Sequence, residues 1–233
     1  MTDNSKNLSQ VIRERMRADN KRFWAGDNIS EYVNDDTRNK LIDEATVAFE
    51  LVLDTLLIDR EQDPNSQGTA RRLAKMYYNE IMAGRYDAKP DATAFPNHTT
   101  DGKYDGVLVV RSELRSMCSH HHQPVVGVAF IGILAANKLI GLSKYTRIAQ
   151  WCARRGTLQE ELAMDIAREI MTATESKDVG VYLRMTHGCC ENRGIMAHDS
   201  STTTTVLKGA FRSDAATKKE FFDTLALQET YKR

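Results

Sequence analysis

The densest chemistry in the sequence is the run Met117-Cys118-Ser119-His120-His121-His122, one thiol and three imidazoles within five positions. Thiolate and imidazole together are a ligand mixture that suits zinc. Three successive histidines cannot all face one ion from a regular strand, because neighbouring side chains point to opposite faces. One or two of them are therefore expected to ligate, leaving the rest for proton transfer or packing. Cys118 and His121 stand three apart, a spacing that converges only where the chain turns or bulges, so a distortion is expected here. A second cluster, Thr186-His187-Gly188-Cys189-Cys190, lies downstream at the end of a strand-like run. Catalytic zinc sites use three protein ligands and keep a fourth position open. Strand pairing could join the two clusters into such a site, with either Cys189 or Cys190 as the third ligand.

Three stretches carry cations suited to an anion. Arg71, Arg72 and Lys75 open a predicted helix, with Arg72 and Lys75 on one face. Ser143-Lys144-Tyr145-Thr146-Arg147 follows a Gly-Leu step, with Ser143 as the expected N-cap, so amides and two cations would converge at that helix start. Arg193 lies in a Glu-Asn-Arg-Gly turn four residues past Cys189. Taken alone, each stretch is better explained as a solvated face. Thr157-Leu158-Gln159-Glu160 reads as a capping box, and that structural role suffices for Glu160.

The elements that must position these groups follow from periodicity. The first 36 residues form a charged extension, with a helical trace at Leu8, Val11, Ile12 and Met16. In residues 37–58, Leu41, Ala45, Ala48, Phe49, Val52 and Leu56 recur at helical steps, predicting a long helix with one apolar face. A second helix is predicted from Thr69, stopped by Gly84. Residues 85–106, with two of the four prolines, read as a polar surface loop. Beyond them GVLVVRSEL and PVVGVAFIGIL predict strands, KYTRIAQWCAR and LQEELAMDIAREIMTATES helices, VGVYLRMTH and STTTTVLKGAF strands, and ATKKEFFDTLALQETYK a closing helix. The expected division is a 1–36 extension, a 37–100 helical region and loop, and a 101–233 catalytic domain.

Composition narrows the class. The 233 residues are 41% hydrophobic, enough for a sizeable core, and 32 basic residues balance 32 acidic ones. That balance gives no global signal for nucleic acid or an anionic membrane. No uncharged apolar run is long enough for a span or a leader, so a cytoplasmic protein is expected. Two of the four cysteines are adjacent, a poor layout for a disulfide framework.

In this order, C-x-H-H at Cys118 to His121, I-G-L-S-K-x-x-R at Ile140 to Arg147, L-Q-E at Leu158 to Glu160, H-x-C at His187 to Cys189, R-G-I at Arg193 to Ile195 and S-x-T-T-T at Ser200 to Thr204 resemble the signature set of the GTP cyclohydrolase I family. The resemblance covers about residues 37 to 230. It implies an α+β tunnelling fold, a four-stranded antiparallel sheet with two helices between the strand pairs, preceded by a helical N-terminal region. It also implies a homo-oligomer, a decamer of stacked rings with active sites at subunit interfaces.

Carried over residue by residue, the resemblance makes Cys118, His121 and Cys189 zinc ligands and His120, His187 and Ser143 catalytic groups. Glu160 and Gln159 become readers of the guanine edge. Leu142, Lys144, Arg147 and Arg193 join the substrate contacts, with Arg72 and Lys75 supplied by a neighbouring subunit. The implied reaction is zinc-dependent conversion of GTP to 7,8-dihydroneopterin triphosphate and formate, opening pterin, folate or 7-deazapurine synthesis.

Three departures stand out: Ser119 replaces the family's usual glutamate, His122 a usual apolar or aromatic residue, and Ala70 the proline of a Thr-Pro-x-Arg helix start. Two other readings fit the resemblance less well. A tunnelling-fold relative reducing a 7-cyano-7-deazapurine through a nucleophilic cysteine needs no zinc. A zinc-stabilised ring that binds nucleotide without turnover leaves the proton-transfer residues without purpose.

Overall fold

A computed structural model describes residues 6–98, 100 and 102–230. It divides into two compact units between Ala88 and Lys89. The last two residues of the expected closing helix, Tyr231 and Lys232, lie outside the described residues, as does Asp101 at the expected start of the catalytic domain.

The first unit is helical. Helix α1 (Leu8–Ala18) and helix α2 (Asp35–Thr55) contribute Met16 and Leu41 to a small core completed by Ile29 and Val33. Asn34 caps α2 by accepting from the Thr37 amide at 2.8 Å, so the helix begins two residues before the expected Thr37. The C-terminal part of its apolar stripe is exposed, Val52 by 51% and Leu56 by 64%. Helix α3 (Thr69–Met76) passes into a π-helical turn at Tyr77–Ile81, then into α4 (Ala83–Tyr86). Gly84 therefore does not stop the helix, contrary to the sequence expectation. The Asn28 side-chain amide donates to the carbonyls of Gly84, at 2.9 Å, and Asp87, at 2.7 Å, and so satisfies a helix end that glycine alone would have weakened.

The second unit is built on a four-stranded antiparallel sheet in the order β2-β3-β5-β6: β2 (Val107–Met117), β3 (Pro124–Leu134), β5 (Val179–His187) and β6 (Thr202–Leu207). Helices α5 (Leu142–Ala153) and α6 (Gln159–Thr174) lie in the connection from β3 to β5, as the tunnelling fold requires. They cover one sheet face, where Leu114, Ala129, Ile131, Val181 and Leu183 alternate inward to meet Ile148, Leu162 and Ile166. Phe211, on the short helix α8 (Ala210–Ser213), and Phe221, on α9 (Ala215–Thr230), pack on the opposite face against Phe130. Gly132 makes room for them: a Cβ there would stand 2.7 Å from the Phe221 ring. Strands β2 and β6 are the edges of the sheet.

The segment read as a surface loop contains a short strand, β1 (Ala94–Pro96), paired antiparallel with β4 (Lys138–Ile140). Buried Asn97 pins it, its side-chain NH2 donating to the carbonyls of Ala136, at 2.9 Å, and Tyr104, at 2.8 Å. Three residues of pairing, locked by an amide that reaches a carbonyl 39 residues away, leave no periodic trace in sequence.

Candidate metal centre

Strand β2 ends at Met117, and residues 118 to 123 turn the chain into β3. The turn is closed by the Cys118 amide donating to the Gln123 carbonyl and the His122 amide to the Cys118 carbonyl, both at 2.9 Å. His122 takes a left-handed backbone (φ 50°), a conformation that histidine enters more readily than most residues. This turn is the distortion that brings Cys118 and His121 to one side.

The third member comes through strand register. Val125 of β3 pairs with His187, the last residue of β5, so the segment after β5 emerges beside the hairpin turn. That segment forms one helical turn, α7 (Gly188–Glu191). A Cβ on Gly188 would lie 3.0 Å from the Pro124 carbonyl oxygen, so glycine permits the close approach. The result is a cluster in which one ligand atom from each of Cys118, His121 and Cys189 lies within 4.8 Å of the others.

The donor set fits zinc. At about 2.3 Å for sulfur and 2.0–2.1 Å for nitrogen, three ligands around one tetrahedral ion stand less than about 4 Å apart, a small contraction of the observed cluster. Burial pushes the Cys189 thiol up to about 11, and the adjacent thiols of Cys118 and Cys190 push in the same direction. A bound metal reverses that preference at Cys189 by stabilising the thiolate.

His120 and His121 present their rings edge to face at 6.3 Å, both on the exposed side of the turn. His187 is half-buried, and its Nε2 lies 2.8 Å from the Gln159 Oε1. Gln159, the first residue of α6, is buried and donates from Nε2 to the Thr202 carbonyl and the Thr204 hydroxyl, both at 3.0 Å. Burial lowers the His187 pKa, while the charge of nearby Glu160 opposes that shift. The roles of Thr202 and Thr204 were missed in sequence, where the threonine run registers only as a strand. Thr202 acts through its backbone carbonyl, which no residue type signals, and only Thr204 acts through its hydroxyl.

Two local expectations fail. Leu158, not Thr157, occupies the N-cap of α6, and the Thr157 hydroxyl bonds the Glu161 carboxylate at 2.9 Å, so Glu160 closes no capping box. It stands exposed in the first turn instead. Gly141 is the N-cap of α5, which places Ser143 inside the first helical turn, exposed beside Leu142. The cause in both cases is tertiary. Hydrogen bonds from β2 to α5, Ser112 to Thr146 at 2.8 Å and Ser116 to the Ala153 carbonyl at 2.7 Å, set where that helix runs. Buried Gln159 likewise draws the start of α6 onto β6.

Lys144 and Arg147 project from the first two turns of α5, and Arg193 is exposed in the turn after α7. All three belong to the second unit with the Cys-His-Cys cluster. Arg72 and Lys75 lie on α3 of the first unit, with Arg72 bonded to the Thr69 hydroxyl at 2.8 Å and Lys75 exposed.

Residues 46–226 match the family model for GTP cyclohydrolase I. A GTP cyclohydrolase 1 of Aeromonas salmonicida is 38% identical over 75% of this chain and 79% of its own length. That of Flavobacterium johnsoniae is 36% identical over 84% and 87%, and that of Shewanella denitrificans 41% over 68% and 73%.

Proposed function

The chain belongs to the GTP cyclohydrolase I family, and from that premise we propose that it converts GTP to 7,8-dihydroneopterin triphosphate and formate at a zinc held by Cys118, His121 and Cys189. The observation that carries this reading is the convergence of those three donors beside His187, a proton-transfer group two residues from one of them.

When bound, zinc supplies the Lewis acidity that makes water a nucleophile near neutral pH. The protein's own groups then manage the protons and hold the nucleotide. His187 protonates N7 of the purine as hydrolysis at C8 opens the imidazole ring, a task for a side chain that titrates near neutrality. A second hydrolysis releases formate. In the ribose rearrangement that follows, His120 and Ser143 pass protons, and closure of the new ring expels water. Glu160, exposed in the first turn of α6, accepts from the N–H donors of the guanine edge. Leu142, Ser143, Lys144, Arg147 and Arg193 line the path of the ribose and triphosphate, with charge-assisted bonds from the cations.

The assembly proposed is a homo-oligomer, a decamer with active sites at subunit interfaces. Two features of the single chain support it: the exposed apolar end of the α2 stripe, and sheet edges at β2 and β6 free to pair with further strands. Arg72 and Lys75 then reach the triphosphate from a neighbouring subunit. Among the described residues no helix is long and apolar enough to cross a membrane; the proposed setting is the cytoplasm, and the proposed pathway leads to pterins, folate or 7-deazapurines.

The test is incubation of the zinc-loaded chain with GTP, following formate and the fluorescence of the oxidised pterin. Product is expected, lost on chelation and restored by zinc. His187→Ala should retain its zinc and lose roughly 10²- to 10⁴-fold in kcat. A zinc-replete protein that binds GTP and releases no formate overturns the reading.

A further inference from the structure

The hydrogen bonds around Gln159 determine more than the position of an amide. Its two terminal atoms differ only as donor and acceptor, and the surroundings decide which lies where. The group facing the Thr202 carbonyl at 3.0 Å must be a donor, because a carbonyl oxygen only accepts. That group is Nε2, and its second hydrogen goes to the Thr204 hydroxyl oxygen, also at 3.0 Å. Turning the amide over would set two acceptor oxygens against each other in a buried place. Oε1 is thereby committed toward His187, 2.8 Å away. An acceptor at that distance requires a hydrogen on the His187 Nε2.

From this arrangement we infer that Gln159 is a positioning residue, which holds His187 as the Nε2–H tautomer through an amide oriented by Thr202 and Thr204. Nδ1 is then the lone-pair nitrogen of the neutral ring. The Nε2 hydrogen stays bonded to the Gln159 Oε1 throughout; Nδ1 takes up a proton from solvent to give the imidazolium, passes it to the purine N7 and returns to its lone-pair state. A ring in the other tautomer would set its Nε2 lone pair against the Gln159 Oε1, two acceptors 2.8 Å apart. This inference rests on the proton-transfer role proposed for His187, and it changes what is expected of Gln159. Both amide hydrogens are engaged within the protein, so reading a guanine edge with either would break a buried bond, and Glu160 is left as the reader.

The test joins a spectroscopic readout to a kinetic one, on the zinc-loaded full chain. Solid-state 15N spectra of histidine-labelled protein, with His187 identified by the signal missing in His187→Asn, should show one neutral tautomer with Nε2 protonated. Gln159→Leu should lose that single tautomer and about 10- to 100-fold in kcat, with KM for GTP within about twofold. Thr204→Val removes one of the two bonds that orient the amide and should cost about threefold in kcat, again at unchanged KM. A wild-type ring with the proton on Nδ1, or a Gln159→Leu protein whose KM rises while kcat holds, overturns the inference. If Gln159→Leu fails to fold, the wild-type spectrum and Thr204→Val still decide. Absence of formate from the wild type would refute only the proposed function, since the tautomer is read without turnover.

Discussion

Metal affinity at the Cys-His-Cys cluster should depend steeply on pH, and Cys189 sets a minimum slope. Its thiol is held up to about 11 by burial and by the neighbouring Cys118 and Cys190 thiols. Across pH 6 to 8 it is therefore fully protonated in the metal-free protein, whereas a zinc-bound cysteine is a thiolate. Each ion bound must expel that proton, and each unit of pH then changes the apparent affinity tenfold for every proton released. From pH 6 to 8 Cys189 alone contributes about a 100-fold gain, and any proton released from Cys118 adds to it. The assay is competition for zinc against a chromophoric chelator of known proton affinity at pH 6, 7 and 8. Cys189→Ser should lose one proton from the slope as well as weakening binding at pH 8. An affinity that stays flat between pH 6 and 8, or a slope untouched by Cys189→Ser, would refute the assignment of Cys189 as a protonated ligand displaced by the ion.

Other perturbations probe the scaffold and the substrate contacts. Gly132→Ala places a Cβ 2.7 Å from the Phe221 ring and should destabilise the fold by about 1–3 kcal/mol, read as a lower urea midpoint; an unchanged midpoint would show that the ring yields freely. Burial pushes the Cys152 thiol from 9.0 up to about 12, so its contribution to stability is complete below pH 9 and lost as pH rises toward 12. The urea-derived stability should accordingly fall with a steeper slope between pH 9 and 11 in the wild type than in Cys152→Ala, by about 1.4 kcal/mol per pH unit. Arg147→Ala should raise KM for GTP about tenfold with kcat within twofold, as for a triphosphate contact made equally in ground and transition states; a selective fall in kcat would place Arg147 in the chemistry instead.

Where a feature depends on neighbours in the chain, the sequence determined it. The extents of β3 and β5 are written in their β-branched runs, and the presence of α2 and α6 in helical spacing, because each side chain's direction follows from the local backbone. The ligand types at Cys118, His121 and Cys189 were equally plain, since soft and imidazole donors are rare enough to register as clusters. Tertiary structure alone decided the rest. The helix runs on through Gly84 because Asn28, 56 residues away, satisfies its carbonyls. A strand forms at Ala94–Pro96 because Asn97 is held by Ala136. Gln159 left its place in the apparent capping motif to bridge β6 and His187. Register sets α7 beside the hairpin turn through Val125 opposite His187, and the folded chain brings Cys189, of the two cysteines that residue types left open, together with Cys118 and His121. Hydrogen-bond partners brought together across such distances carry no local periodicity, so only the folded chain shows which donor meets which acceptor.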